Sequence, residues 1–394
     1  MKLAHHAAAI LAFCGAALLP GAAPAASEPY EINVILPMTG GGSFIGQGAA
    51  GNFKVLESIV NKDGGIAGRP VKFVFHDDET SPQQDVQIAA QLIPTKPAVI
   101  LGSAIVGLCN GIAPLVKNGP VLYCISPSFM PVKDGYAFSA GSATLYQIGA
   151  IVRYLRLKGW SRIGVLNGID ATGQNADKDL ERLLALPENK DVKIVEHQHF
   201  NPRDVSVTAQ MERIKSAGAQ ALIAWTTGAP VATIFKGMIQ TGLDIPVGTS
   251  SGNQTFAQME QYAGFLPKTL LIGSALFPEH AGIVALDPRV EKAQADMYAA
   301  LKASNLKPDI STATTWDVGL IVISGLRKLS PDATADQLRQ YISTLTDFPG
   351  IDGIYDFKTY YDHGLGPESA TVVTYDPQAK SWKWLSKPGG EPLP

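Results

Sequence analysis

The sequence predicts an α/β protein with two lobes, each built on a parallel-rich sheet. From Glu31 onward, short apolar runs rich in β-branched residues alternate with amphipathic stretches, which is the pattern of repeated βα units. This rhythm restarts after residues 135–142 and returns again after residue 270. A chain of 394 residues is long enough for two or three domains. We therefore expect more than one chain crossing between the lobes and a ligand cleft between them.

The first block of the pattern predicts four strands with helices between them. Each apolar run is followed by polar residues or by Gly and Pro, and then by a helical pattern. The expected strands are 32–36, 71–75, 98–101 and 121–125, and the expected helices include 48–61 and 84–92.

The second block repeats this order, and a return segment follows it. The expected strands of the second block are 162–166, 192–197, 221–225 and 245–247, with helices near 174–186, 205–217 and 229–241. The return segment is expected to form a strand at 270–275 and helices at 290–303, 312–329 and 335–344. Residues 353–355, 371–375, Trp382 and Trp384 are typical of strands.

The N-terminus has the pattern of a secretory signal peptide over residues 1–26. Lys2 and two histidines precede the apolar run 7–19, and small residues follow, with cleavage expected near Ala25 or Ala26. The run is shorter than the roughly 20 residues that span a bilayer, so a membrane anchor is disfavoured.

Charge excludes one class of partner. The formal net charge is −3 and no run of Lys or Arg is present, so we expect no binding to nucleic acid. Charged residues make up 17%, below the roughly 25% of an average soluble chain.

A family resemblance rests on several short segments in order. They are Pro37-Met38-Thr39-Gly40, the stretch 61–69, Asp77-Asp78, Ser81-Pro82, Ile125-Ser126-Pro127, the stretch 159–163, Asp170-Ala171-Thr172-Gly173 and Asp204-Val205-Ser206. Together they cover essentially the whole mature chain, which resembles the periplasmic binding proteins of branched-chain amino acid ABC transporters. The resemblance implies two Rossmann-like lobes of the type I periplasmic binding fold, three crossovers, and hinge closure on a small ligand.

The same resemblance predicts the organisation and partners of the chain. We expect one lobe at 27–145 with 276–355 and the other at 146–275 with 356–394. The protein would act in the periplasm as a monomer that uses no cofactor. It would deliver its ligand to permease subunits of an ABC importer; a sensory role on the same fold stays open.

Two motifs suggest other chemistry. Residues 46–51 match the dinucleotide fingerprint, but 37–45 separate them from the strand, so we interpret these glycines as helix–sheet packing. Residues 248–252 match the nucleophile elbow of α/β-hydrolases, with His280 and His363 downstream. An exported serine hydrolase using Ser250 is therefore an alternative of another class, although we expect a binding protein and no enzyme.

Two histidines and two cysteines remain to be assigned. His197 and His199 lie on one face of a predicted strand, but no Cys or acidic cluster stands nearby at ligand spacing, so we predict no metal site. Cys109 and Cys124 would be exported to an oxidising compartment, where we expect a disulfide that closes about 15 residues and braces the loop 103–108.

The candidate binding residues come from the loops that follow the strands. Ligands bind outside the carboxyl ends of parallel strands, so these loops should line the cleft. The candidates of the first lobe are Ser43, Phe44, Ser103, Ala104, Val106, Ser128 and Phe129. Those of the second lobe are Asp170, Thr172, Thr226, Thr227, Ser250 and Asn253.

The composition of these loops suggests the ligand. They contain hydroxyls and glycines, no Lys or Arg, and one acid, Asp170, so they can hold a carboxylate but offer an ammonium group little. Phe44, Phe129, Tyr146 and Trp225 could enclose a planar ring. We therefore expect an aromatic acid of benzoate or phenylpropenoate type; the alternative is a branched-chain or other aliphatic amino acid.

Overall fold

The computed structural model describes residues 28–280 and 282–394, so the predicted signal peptide lies outside the described residues. The strands, in chain order, are β1 Tyr30–Leu36, β2 Val71–Asp77, β3 Val99–Leu101, β4 Val121–Cys124, β5 Ala137–Ser139, β6 Arg162–Gly168, β7 Lys193–Phe200, β8 Ala221–Ile223, β9 Val247–Thr249, β10 Leu270–Ser274, β11 Phe348–Pro349, β12 Ile354–Tyr355, β13 Thr371–Asp376 and β14 Ser381–Trp384.

The α-helices follow the same alternation. They are α1 Ser43–Lys62, α2 Pro82–Leu92, α3 Val106–Ile112, α4 Thr144–Leu157, α5 Ala171–Leu184, α6 Thr208–Ser216, α7 Val231–Thr241, α8 Phe256–Tyr262, α9 Pro288–Ala303, α10 Ile310–Lys328 and α11 Ala335–Thr344. None of these helices is long and apolar enough to cross a membrane.

The first lobe is built on a five-stranded sheet in the order β2-β1-β3-β4-β5, with parallel pairing throughout. Successive residues of β1 point to opposite faces, so Val34 and Ile35 belong to two different cores. Val34 packs among side chains of α1, α9, α10 and α11. Ile35 packs among side chains of α2 and the end of α3. The return segment therefore completes the first lobe.

The second lobe is built on a seven-stranded sheet in the order β14-β13-β10-β9-β8-β6-β7. Strands β6 to β10 pair in parallel, and β13 and β14 add to one edge as antiparallel strands. Side chains of α6, α7 and α8 cover one face, and those of α4 and α5 cover the other.

The chain passes between the two sheets three times. It leaves the first lobe after β5, returns after β10, and leaves again between β12 and β13. This is the predicted α/β architecture with three crossovers. The pairings do not define where each lobe ends, so the lobe boundaries stay a prediction.

Several elements differ from the sequence expectations. Strand β5 and helices α4 and α8 were not predicted, and α1 begins at Ser43 instead of residue 48. Neither α1 nor α4 has a side-chain hydrogen bond at its N-cap, so the usual start signal is missing. The early start of α1 needs a glycine, because a Cβ on Gly46 would lie 2.1 Å from the Pro37 carbonyl oxygen. The loop after β1 is therefore shorter than expected.

Candidate functional site

A cavity of about 550 Å³ lies between the two lobes, where the loops after the strands face each other. Its first-lobe wall includes Gly41, Glu79, Thr80, Ile105, Gly107 and Leu108. Its second-lobe wall includes Ile169, Asp170, Thr172, Asn201, Arg203, Thr227 and Pro230. Of the thirteen predicted binding residues, this wall includes Asp170, Thr172 and Thr227.

Asp77 and Thr80 fix the first-lobe loop that carries Gly41. One carboxylate oxygen of Asp77 accepts hydrogen bonds from the backbone N–H of Met38 at 3.0 Å and of Thr39 at 3.2 Å. The Thr80 hydroxyl donates to the Thr39 carbonyl at 2.7 Å and accepts from the Gly42 N–H at 3.1 Å. Burial alone would raise the pKa of Asp77, but the donated hydrogen bonds outweigh it and lower this pKa.

Ser103 is turned away from the cavity. It is fully buried, and its hydroxyl donates to the Asp78 carboxylate at 2.8 Å. Burial raises the pKa of Asp78 to about 6, against the lowering effect of the hydrogen bonds from Ser103 and the Thr80 N–H. The predicted binding residues Ala104 and Val106 are also buried. These three residues support the wall that Ile105, Gly107 and Leu108 form.

The predicted disulfide is present behind this wall. Cys109 and Cys124 are bonded, with 6.0 Å between their Cα atoms. Val106 and Phe129 pack against the bridge, and Ala171 from the second lobe contacts the same cluster. Phe129 is only 2% exposed, so it is a core residue of the first lobe and does not face the cavity.

The N-terminus of α5 faces the cavity from the second lobe. Asp170 is its N-cap and accepts a hydrogen bond from the Gly173 N–H at 3.1 Å. Ala171 and Thr172 of the first turn line the wall. A helix N-terminus carries a partial positive charge and backbone N–H donors, which favour an anion.

Asn253 holds the other second-lobe loop in place. Its amide nitrogen donates to the Thr226 carbonyl at 2.7 Å, and its amide oxygen accepts from the Gly228 N–H at 3.0 Å. Thr226 and Asn253 are fully buried, and only Thr227 of this predicted group reaches the cavity. The Thr226 hydroxyl has no hydrogen-bond partner among the described residues.

Ser250 does not have the surroundings of a nucleophile. Its hydroxyl donates to the Thr226 carbonyl at 2.9 Å and lies 3.3 Å from the Thr227 hydroxyl. Within the described part of the chain, no His or carboxylate is hydrogen-bonded to it, and its φ of −73° is unstrained. A serine nucleophile needs an adjacent base, so this site does not support the hydrolase alternative.

The glycines of residues 46–51 form no phosphate cradle. A Cβ on Gly48 would lie 2.0 Å from the Ser311 hydroxyl oxygen of α10, so this glycine permits a close contact between two helices. These glycines permit close contacts, but the close neighbours of Gly46, Gly48 and Gly51 lie in the loop after β1, in α10 and at residue 306, so the predicted helix–sheet packing is wrong.

The two lobes touch on both sides of the cavity. The Asn175 amide of the second lobe donates to the Ser128 carbonyl of the first at 2.9 Å. Phe44 follows Ser43 in the first turn of α1, and its ring lies 6.1 Å from the Tyr262 ring of the second lobe. A Cβ on Gly228 would lie 2.6 Å from the Gly41 carbonyl oxygen. Phe44 and Ser128 therefore contribute contacts between the lobes.

The expectation that the cleft has no basic residue and a single acid is wrong. Arg203 and Glu79 both line the cavity, in addition to Asp170. Both follow strands at the cleft edge, Arg203 after β7 and Glu79 after β2, so the rule used for the other loops would have included them. The Arg203 guanidinium has no hydrogen-bond or ion-pair partner among the residues that the structure describes.

The four aromatic residues that suggested a ring do not surround this cavity. None of Phe44, Phe129, Tyr146 and Trp225 is part of the wall that the described residues form. Trp225 is fully buried in the second-lobe core, and Tyr146 packs against the same core. The predicted ring sandwich is therefore not formed in this arrangement of the lobes.

Residues 29–379 match the model of a family described as periplasmic binding protein. The fold is also similar to solved structures at low identity. One is an extracellular ligand-binding receptor from Rhodopseudomonas palustris, at 19% identity and a TM-score of 0.79, with 91% of this chain and 99% of that chain covered. No curated protein matches the sequence.

Two further structural neighbours are described as transporter proteins. One is a branched-chain amino acid transporter substrate-binding protein from Streptococcus pneumoniae in complex with isoleucine, at 16% identity, a TM-score of 0.73, and coverage of 89% and 97% of the two chains. The other is a fatty acid ABC transporter substrate-binding protein from Thermomonospora curvata, at 17% identity, a TM-score of 0.75, and coverage of 93% and 95%. At these identities the likeness concerns the fold.

Proposed function

The chain belongs to the periplasmic binding protein family, and from this premise we propose that it is the extracytoplasmic solute-binding receptor of an ABC importer. We propose that it holds a small carboxylate between its lobes and delivers it to membrane permease subunits. The two structural neighbours described as transporter substrate-binding proteins support the transport role. The ligand class rests on one observation, the Arg203 guanidinium on the cavity wall without a protein partner.

The cavity offers complementary groups for such a ligand. Arg203 and the N-terminus of α5 provide positive potential on the second-lobe wall, where a carboxylate would bind. The hydroxyls of Thr172 and Thr227 would supply further hydrogen bonds. Ile105, Leu108, Ile169 and Pro230 form an apolar surface for the uncharged body of the ligand.

The chain organisation belongs to the same proposal. Lobes at 27–145 with 276–355 and at 146–275 with 356–394 are supported by the sheets, since the first sheet lies within one set and the second within the other. We propose that residues 1–26 are removed on export and that the receptor acts as a monomer.

The aromatic acid that the sequence favoured becomes the weaker of the two ligand hypotheses. It depended on aromatic rings around the ligand and on a cleft almost free of charge. The cavity wall instead carries Glu79 and Asp170, two carboxylates that can accept hydrogen bonds from an ammonium group. With Arg203 they can recognise both charged groups of an α-amino acid, so this observation favours the aliphatic amino acid.

A thermal-shift panel tests the proposal. We expect at least one of leucine, valine, benzoate and a phenylpropenoate to raise the melting temperature, because a ligand at 100 times its Kd adds about 2.7 kcal/mol of stability. The amides leucinamide and benzamide, which lack the carboxylate, should have little effect. Stabilisation by the two aromatic acids but by neither amino acid would restore the aromatic hypothesis.

Arg203→Gln is the matched variant. It should lose at least about tenfold in affinity for the carboxylate, because a charge-assisted hydrogen bond contributes about 1.5–3 kcal/mol. Arg213→Gln, on α6 outside the cavity wall, is the control and should bind as the wild type. Equal affinity in Arg203→Gln and the wild type would refute the assigned carboxylate contact.

A further inference from the structure

A cluster of two histidines and an aspartate lies on the second lobe, outside the wall of the cavity. The Nε2 atom of His197 is 2.9 Å from one carboxylate oxygen of Asp177, and the Nε2 atom of His199 is 2.8 Å from the other. The candidate ligand atoms of the three residues all lie within 4.8 Å of one another. Sequence reasoning missed the acidic member because Asp177 comes from a different element.

The fold brings the three side chains together. His197 and His199 are two residues apart on β7, so they point to the same face of the sheet, and their ring centroids are 4.7 Å apart. Among the described strands, β7 is the last of its sheet and pairs with β6 alone. Asp177 reaches the histidines from α5, which packs beside this edge. Gln198 lies between the two histidines in sequence, but its side-chain oxygen accepts a hydrogen bond from Arg213 and takes no part in the cluster.

Asn167 orients the carboxylate of the cluster. Its amide nitrogen donates to Asp177 at 2.6 Å, and its amide oxygen accepts from the Trp225 N–H at 3.0 Å. Asn167 is fully buried, so it holds the Asp177 carboxylate in place from the interior of the second lobe. Metal-ligating carboxylates are commonly held by such a second hydrogen-bonding group.

The donor set and its exposure suit a metal ion. Two imidazole nitrogens and one carboxylate oxygen are ligands for Zn²⁺ and its neighbours in the first transition row. The side chains of His197, His199 and Asp177 are 39%, 44% and 25% exposed, which leaves room for water as the remaining ligands. In a tetrahedral site with bonds of about 2.0–2.1 Å, ligand atoms stand about 3.3 Å apart, a spacing that small side-chain movements can reach from candidate atoms within 4.8 Å of one another.

We propose that Asp177, His197 and His199 form a binding site for a divalent transition-metal ion of the Zn²⁺ type. On binding, each imidazole exchanges its hydrogen bond to Asp177 for a bond from Nε2 to the metal. The Nε2 proton is released to solvent or replaced by one on Nδ1. All three ligands belong to the second lobe, so binding does not require the carboxylate ligand or lobe closure. The metal-site proposal can therefore be confirmed or refuted independently of the proposed transport function.

Calorimetric titration with Zn²⁺ and Ni²⁺ tests the site. The full chain is used without a polyhistidine tag and with His5→Ala and His6→Ala, so that the leader histidines do not bind metal. We expect one ion per chain. The further double variant His197→Ala/His199→Ala should bind at least 100-fold more weakly, whereas the control His280→Ala, distant from the cluster, should bind as the parent.

A second variant and a spectroscopic measurement distinguish the loss of metal ligands from misfolding of the double variant. Asp177→Asn keeps the shape of the side chain and should lower the affinity at least tenfold. Co²⁺ bound to the parent chain should give visible d–d absorption bands that the double variant lacks. No binding by the parent, or unchanged stoichiometry and affinity in the double variant, would show that the cluster is only a hydrogen-bonded triad.

Discussion

At the scale of single residues, Asp85 is a buried carboxyl group whose burial is not offset by hydrogen bonds to its oxygens. It lies in the first turn of α2, and neither of its carboxylate oxygens has a hydrogen-bond partner among the described residues. Burial, and to a smaller extent the charge of Asp78, raises the pKa of Asp85 to about 8. Because this pKa is above its value in the unfolded chain, the folded state favours protonated Asp85 and loses stability as the pH rises from about 4 to about 8.

Asp85→Asn removes this loss. We expect the variant to be more stable than the wild type by about 2 kcal/mol at pH 8, less than the full linkage value because the protein relaxes around a buried charge. The difference should be small near pH 4, where the wild-type carboxyl is protonated in the folded state and about half protonated in the unfolded state. Melting temperatures at pH 4, 6 and 8 measure it, with exposed Asp191→Asn as the control. A constant difference across this pH range would contradict the assigned titration.

Prediction of which residues line the cavity succeeded where a residue's place depends on its neighbours in sequence, while the binding role of these residues stays a prediction. Asp170 and Thr172 follow a strand and begin a helix, and both line the cavity. It failed where the role depends on which way a side chain points. Ser103 and Thr226 stand in the correct loops, but Ser103 is turned toward Asp78 and Thr226 is buried.

At the scale of elements, the disulfide ties α3 to the end of β4. It joins residues 15 apart in sequence and supports the first-lobe wall through Val106. Replacing both cysteines, Cys109→Ala/Cys124→Ala, should lower the free energy of unfolding by about 3 kcal/mol, because the unfolded chain regains its freedom.

Urea denaturation without reducing agent measures this change. Wild-type protein unfolded with a reducing agent provides the control, and it should approach the stability of the double variant. A loss of well under about 1 kcal/mol would mean that the bridge adds little to folding and that the core around it holds the wall by itself.

The structure explains why some elements could not be predicted from the sequence. Helix α4 has apolar residues at helical spacing, among them Ile148, Ile151 and Leu155, but no side chain caps its start. Helix α2, by contrast, was expected, and Ser81 accepts a hydrogen bond from the Gln84 N–H at its N-cap. Strand β5 has three residues, too few for an alternating pattern to be recognised.

At the scale of the whole molecule, the two sheets and more than one crossing could be predicted, because hydrophobic periodicity and the order of the elements along the chain carry that information. The number of crossings, three, was implied by the family resemblance. The meeting of distant residues could not be predicted. Asp177 reaches His197 and His199 only because α5 packs beside β7 within the second lobe. Arg203 shares a cavity with Glu79 only because the two lobes face each other. These are the contacts on which the ligand and metal proposals depend.

Gly228 lies at a point where the two lobes touch. Its φ is +82°, and an added Cβ would lie 2.6 Å from the Gly41 carbonyl oxygen of the other lobe. Gly159 in the same lobe has a φ of +81° with nothing within 4 Å of an added Cβ. Alanine at either position carries the same backbone strain, but only Gly228→Ala also holds the lobes apart.

The most direct measurement is therefore the calorimetric affinity of the wild type, Gly228→Ala and Gly159→Ala for the carboxylate that gives the largest thermal shift. A receptor that closes on its ligand predicts at least a tenfold loss in Gly228→Ala and wild-type affinity in Gly159→Ala, with both variants losing about 1 kcal/mol of stability. Wild-type affinity in Gly228→Ala would contradict binding by closure of the two lobes.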